Sequence, residues 1–198
     1  MPAGPSELAV IADDTCVPAY VAADLLSQAE HGVDSQVVLI ATSQSVAEQV
    51  QAEVQRQVAS LPRQVIAQKA LENSKVVVFD ELAQAIAFSN AYAPEHLIIA
   101  TKDFEQVGEQ ITNADSVFLG NFAPESAGDY ASGTNHTLPT NGFAQAFSGV
   151  SLDSFYKKIT FQHLTKAGLQ NIAQTVETMA SAELLTAHQR AVSIRFEK

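Results

Sequence analysis

Several groups of residues in this chain combine types and spacings that could do chemistry. Gln28 and His31 stand three apart at the end of a predicted helix, so their side chains share one face. Two ligand atoms placed this way can reach one metal ion. The same His could instead only favour the dipole of a helix C-terminus. Ala93-Pro94-Glu95-His96-Leu97 joins a carboxylic acid to an imidazole where Pro94 should stop the preceding helix. Glu95 and His96 are therefore expected in a connection at the mouth of the next strand. Imidazole titrates near neutrality, so the pair suits proton transfer; a surface turn with a capping His is the alternative.

The stretch from Pro124 to Pro139 is the most unusual. Gly128 and Gly133 permit backbone conformations closed to other residues, while Asp129 and His136 offer an oxygen and a nitrogen to a metal or a substrate. A surface loop rich in turn formers would look similar. Glu183 and His188 are expected on one last helix, five apart, where helix geometry turns them roughly 140° away from each other. Solvent-facing side chains would have that pattern too. His163 reads as structural. Cys16 stands beside Asp13 and Asp14, which oppose a thiolate. No dinucleotide-binding glycine fingerprint, P-loop, nucleophile elbow or H-E-x-x-H occurs. A metal-assisted site is favoured over nucleophilic catalysis.

The elements that would position these residues alternate. Strands are expected at Glu7–Ala12, Gln36–Ala41, Lys75–Phe79, Leu97–Ala100 and Ser116–Leu119. Helices are expected from Pro18, with Gly32 as a stop, and over Ser45–Ser60, Glu81–Ala91 and Phe104–Thr112. Such alternation predicts parallel pairing in a three-layer α/β/α domain, because parallel neighbours need a crossover. Gly120–Gly149 breaks the pattern as a long loop. Leu164–Met179 and Ala182–Ile194 read as a helical pair, giving domains of 1–149 and 150–198.

Composition sets the class. The chain has 198 residues, is 46% hydrophobic and only 17% charged, so it can form a core. Its formal net charge of −11 argues against nucleic acid and anionic lipid as partners, and otherwise reads as solubility. Apolar runs are too short to span a membrane, and no secretory signal opens the chain. The lone cysteine fits a reducing cytoplasm.

Four motifs resemble one family in order: Ala3-Gly4-Pro5-Ser6-Glu7; Ala23-Asp24-Leu25-Leu26-Ser27-Gln28-Ala29-Glu30-His31-Gly32; Ala93-Pro94-Glu95-His96-Leu97; and Ser126 through His136. The last helix, with Glu183, Leu185, Ala187 and His188, completes the pattern. Together they are similar to histidinol dehydrogenase, over essentially the whole chain. The resemblance implies an incomplete Rossmann-like α/β/α domain with a small C-terminal helical unit. It further implies oxidation of L-histidinol to L-histidine in two NAD-dependent steps through an aldehyde-level intermediate.

By the same resemblance, Gln28, His31, Asp129 and His188 correspond to zinc ligands. Ser6, Gln28, His31, His96, Asp129, His136, Glu183 and His188 correspond to substrate contacts, and Glu95 and His96 to the acid–base pair. A homodimer is implied, with His188 reaching the partner subunit's metal. The chain is expected to begin part-way along the family's length. The NAD contacts would then lie in an N-terminal half that activity needs, and some sheet edges would stand uncovered. A binding half that holds zinc and histidinol without turnover is the alternative, and a zinc-dependent hydrolase a weaker one.

Overall fold

The computed structural model describes residues 2–197. Its centre is β1 (Glu7–Ala12), six consecutive residues that are all buried. Leu8, Val10 and Ala12 point to one face of the sheet and Ala9 and Ile11 to the other. A strand that is apolar on both faces fits only between two helical layers. Parallel ladders join β1 to β2 (Gln36–Ala41) and to β4 (His96–Ala100); β3 (Lys75–Val78) and β5 (Ser116–Leu119) form the edges. The order is β3-β2-β1-β4-β5, a parallel five-stranded sheet of the Rossmann kind. Each fully buried Leu or Ile in it contributes about 1.5–3 kcal/mol through burial.

Helices α1 (Pro18–Ala29), α2 (Gln44–Val58) and α3 (Gln64–Glu72) supply apolar residues to the Leu8 face, among them Val21, Leu25, Val50 and Ala67. Helices α4 (Leu82–Tyr92) and α5 (Phe104–Gly108) supply Ala85, Ile86 and Val107 to the other. The three-layer expectation therefore holds. On the edges, Val76, Val117 and Leu119 stay exposed.

Several local expectations need correction. The helix α3 was not expected: the single run Ser45–Ser60 is followed by a turn and a second short helix. The helix of the first crossover ends with Glu30 in the right-handed region, and Gly32 does not take the left-handed conformation of a glycine stop. Instead Gly32 packs where a Cβ would meet Asp34 Oδ1 at 2.8 Å. The loop Gly120–Gly149 is not structureless; it contains α6 (Glu125–Tyr130) and a 3-10 turn at Phe143–Gln145.

The chain separates into two compact units, one ending at Phe155 and the other beginning at Tyr156. The second unit holds α7 (Lys166–Ala182), capped where Thr165 Oγ1 accepts the Gly168 N–H at 3.0 Å, and α8 (Thr186–Ser193). Glu183 and His188 are therefore not on one helix. Glu183 closes α7, Leu184 turns the chain at φ +60°, and His188 stands on α8. In this unit Ile159, Phe161, Met179 and Leu184 are exposed.

Candidate metal and acid–base site

Ligands of open α/β sheets usually lie at the carboxyl ends of the strands, where the strand order reverses. Here that point falls between β1 and β4, and the Asp13 carboxylate occupies it. It accepts the N–H and hydroxyl of Thr15 at 2.9 and 2.6 Å and the Lys102 N–H at 2.9 Å. Within the first unit, Ser6, Glu95 and His96 stand at the opposite, amino ends of β1 and β4.

Two elements bring the metal-ligating group together. The last turn of α1 carries Gln28, and His31 follows immediately, its N–H donating to the Gln28 carbonyl at 3.2 Å. Packed against α1, α6 presents Glu125 and Asp129 four apart, on one helix face. Ligand atoms of His31, Glu125 and Asp129 all lie within 4.8 Å of one another. Gly128 lets α6 pack closely on Phe118 of β5: a Cβ there would meet Phe118 Cε1 at 2.6 Å. Its role is close packing inside a helix, not the unusual backbone expected of it; of Gly128 and Gly133, the latter alone has a positive φ, +89°.

The group contains orphaned polar atoms. Gln28 and Glu125 are each only 1% exposed, yet Oε1 of Gln28 and Oε1 of Glu125 have no hydrogen-bond partner. An unpaired buried acceptor is costly, and several converging oxygens with one imidazole fit a borderline cation such as zinc. Burial, and then the adjacent Asp129 carboxylate, push Glu125 up to about 8. Burial pushes Asp24, one turn before Gln28, up to about 7. Sequence reading missed Glu125, although its position four before Asp129 was a usable signal.

The acid–base candidates sit where β4 begins. Ala93 ends α4 at φ +54°, left-handed for a non-glycine residue and buried, as the residue before Pro94 is kept from continuing the helix. This turn aims Glu95 and His96 into the sheet. His96 is not in the connection but is the first residue of β4, paired in register with Leu8. Both side chains are buried. Glu95 Oε2 accepts the Glu7 main-chain N–H at 2.8 Å, and His96 Nδ1 lies 3.2 Å from the Glu7 carbonyl. A carbonyl only accepts, so Nδ1 carries the hydrogen and Nε2 keeps its lone pair. Burial chiefly pushes Glu95 up to about 7, and burial holds His96 below its ordinary value. The charge of Asp129 reaches both residues, and those of His31 and His136 reach His96.

A match to the histidinol dehydrogenase family model runs over residues 1–196. The chain belongs to the histidinol dehydrogenase family. It is 59% identical over its full length to histidinol dehydrogenase of Bacteroides fragilis (strain YCH46), of which it covers 46%. It is 57% identical over its full length to that of Vibrio parahaemolyticus, again covering 46%. The crystal structure of histidinol dehydrogenase from Elizabethkingia anophelis superposes with a TM-score of 0.92 at 61% identity, over 99% of this chain and 45% of that one. The chain thus spans about half the length of the relatives it matches.

Among the family-implied residues, the structure gathers His31 and Asp129 with Glu125, and sets Glu95 and His96 side by side. Ser6 stands one residue before β1, its carbonyl accepting the Gln36 N–H at 3.0 Å. His136 is exposed on a loop whose base is fixed by Asn135 Nδ2 donating to the Val150 carbonyl at 2.6 Å. Glu183 and His188 belong to the second unit, are exposed, and take no part in the three-residue group. Cys16 is pushed up to about 11, by burial first and by Asp13 and Asp14 after it, which disfavours the thiolate at neutral pH. No helix among the described residues is long and apolar enough to cross a membrane.

Proposed function

We propose that this chain is the metal- and substrate-holding part of a cytoplasmic histidinol dehydrogenase, which oxidises L-histidinol to L-histidine in two NAD-dependent steps. The observation that carries the reading is the convergence of ligand atoms of His31, Glu125 and Asp129 within 4.8 Å, with the Asp129 charge reaching the buried Glu95 and His96. Gln28, His31 and Asp129 hold zinc, with His188 as a further ligand given by the partner subunit of a homodimer. The exposed apolar residues of the second unit support that dimer.

When bound, zinc would supply a fixed positive charge at the substrate, and NAD would supply the hydride acceptor of each oxidation. Ser6, His136 and Glu183 add polar contacts that orient the substrate. The neutral His96 ring takes the carbinol proton at Nε2, its Nδ1 hydrogen being held by Glu7. Glu95, near 7, is ionised in a large fraction at neutral pH and takes a proton from the water that hydrates the aldehyde. The dinucleotide contacts lie in the part of the family's length outside these residues.

The test is a zinc assay of the purified chain with NADH formation from L-histidinol and NAD, with and without the remaining N-terminal region of the family. Bound zinc with turnover only on complementation is expected. Zinc with no turnover under any complementation would leave a binding half alone, and no zinc at all would overturn the reading.

A further inference from the structure

Glu7 contacts both members of the acid–base pair through its main chain, and its side chain has no part in the site as described. It is the first residue of the central strand and only 6% exposed. Its N–H donates to Glu95 Oε2 at 2.8 Å, and its carbonyl accepts from His96 Nδ1 at 3.2 Å. One peptide segment therefore orients both members of the acid–base pair. The side chain turns the other way along the chain. Its Oε1 accepts the Asn141 N–H at 2.9 Å, across 134 positions of sequence, while its Oε2 is buried without a partner.

Asn141 needs such an anchor. It and Gly142 both have positive φ, +56° and +75°, and this turn follows the buried Leu138 and Thr140 on the segment that leaves His136. Thr140 beside it is buried, and Gly4 packs so close that a Cβ would lie 2.8 Å from Asn141 Nδ2. Burying a carboxyl to face the main-chain N–H groups of Asn141 and Glu95 is costly, so a shared function explains it better than stability does.

We propose that Glu7 is a positioning residue, whose carboxylate locks the Asn141 turn, five residues after His136, to the same strand end whose main chain aims Glu95 and His96. The Asn141 turn and the acid–base pair are thereby set by one fixed point. This rests on the reading of Glu95 and His96 as the acid–base pair, but the lock itself needs neither metal nor turnover to be seen. The ionisable groups facing Glu7 are Glu95 and Tyr92; those facing Glu95 are Glu7, His96, Asp129 and Asp115.

The test compares the wild-type chain with E7Q and E7A by amide hydrogen exchange at Asn141 and by NMR of the His96 ring nitrogens and the Glu95 carboxyl carbon. E7Q keeps an acceptor of the same length; E7A removes it. E7A is expected to raise Asn141 exchange about tenfold or more and to shift the His96 and Glu95 signals, and E7Q to restore both. Should E7A not fold, E7D retracts the acceptor by one methylene and serves in its place. Unchanged Asn141 exchange overturns the lock. Faster exchange with unmoved His96 and Glu95 signals makes Glu7 a mere strut and overturns positioning. A chain that passes this test but binds no zinc faults the functional reading alone.

Discussion

The Ser27 hydroxyl faces two acceptors, the Asp24 carbonyl at 2.8 Å and Oε2 of Glu125 at 3.3 Å. On its other side the buried Glu125 carboxyl, when protonated, shares a hydrogen bond with the Asp129 side chain. We expect Glu125→Gln to weaken zinc binding about 10–100-fold, the usual cost of altering a group that supports a metal site. Competition titration with a chromophoric chelator reads this directly. Unaltered affinity would remove Glu125 from the metal centre.

The raised carboxyls set a pH dependence for the metal-free chain. Asp24, Glu95 and Glu125 hold their protons in the fold up to about 7, 7 and 8, whereas the unfolded chain releases them near the ordinary values of 3.8 and 4.5. Between these limits the folded state binds more protons than the unfolded, so stability falls as pH rises. Burial raises Glu7 and Asp115 in the same direction, and His96 acts in the opposite sense below 6.5, one group against five. The Tm of the metal-free chain should fall from pH 5 to pH 8. Zinc at a hundred times its Kd should return about 2.7 kcal/mol. A Tm that climbs over this range would contradict the burial of these acids.

Glu95 and His96 should separate the two oxidations in the complemented enzyme. Without a base at Nε2, His96→Asn should lower kcat for histidinol about 10²–10⁴-fold. Glu95→Gln should spare the first oxidation more than the second, which needs the activated water. For the unaltered enzyme, the second step should rise with pH through about 7, as Glu95 loses its proton. Stopped-flow measurement of NADH with histidinol and with the aldehyde distinguishes the steps.

Gly128 tests the approach of α6 to the sheet. A methyl group there would fall 2.6 Å from Phe118 Cε1 and 2.8 Å from Thr134 Oγ1. Gly128→Ala should cost about 1–3 kcal/mol by overpacking, seen as a lower urea midpoint with an unchanged slope. Since α6 carries both Glu125 and Asp129, zinc affinity should fall with it.

The sequence by itself determined the layers and the chemistry of single positions. Glu7–Ala12 reads as a strand, Pro94 as the stop of a helix, and Gln28 and His31 as neighbours at a helix end, although His31 lies just past the last turn of α1. These are consequences of backbone sterics and local periodicity, which act over a few residues. Glu183 and His188 show the limit of that logic, since a turn at Leu184 puts them on separate helices. Only the tertiary structure decided that α6 lies against α1, giving Glu125 its place beside His31, and that Glu7 meets Asn141 across 134 positions. It also decided that Ser6, Glu95 and His96 stand at the amino ends of β1 and β4. Such contacts depend on strand order, crossover direction and close packing at Gly128, which no local pattern encodes.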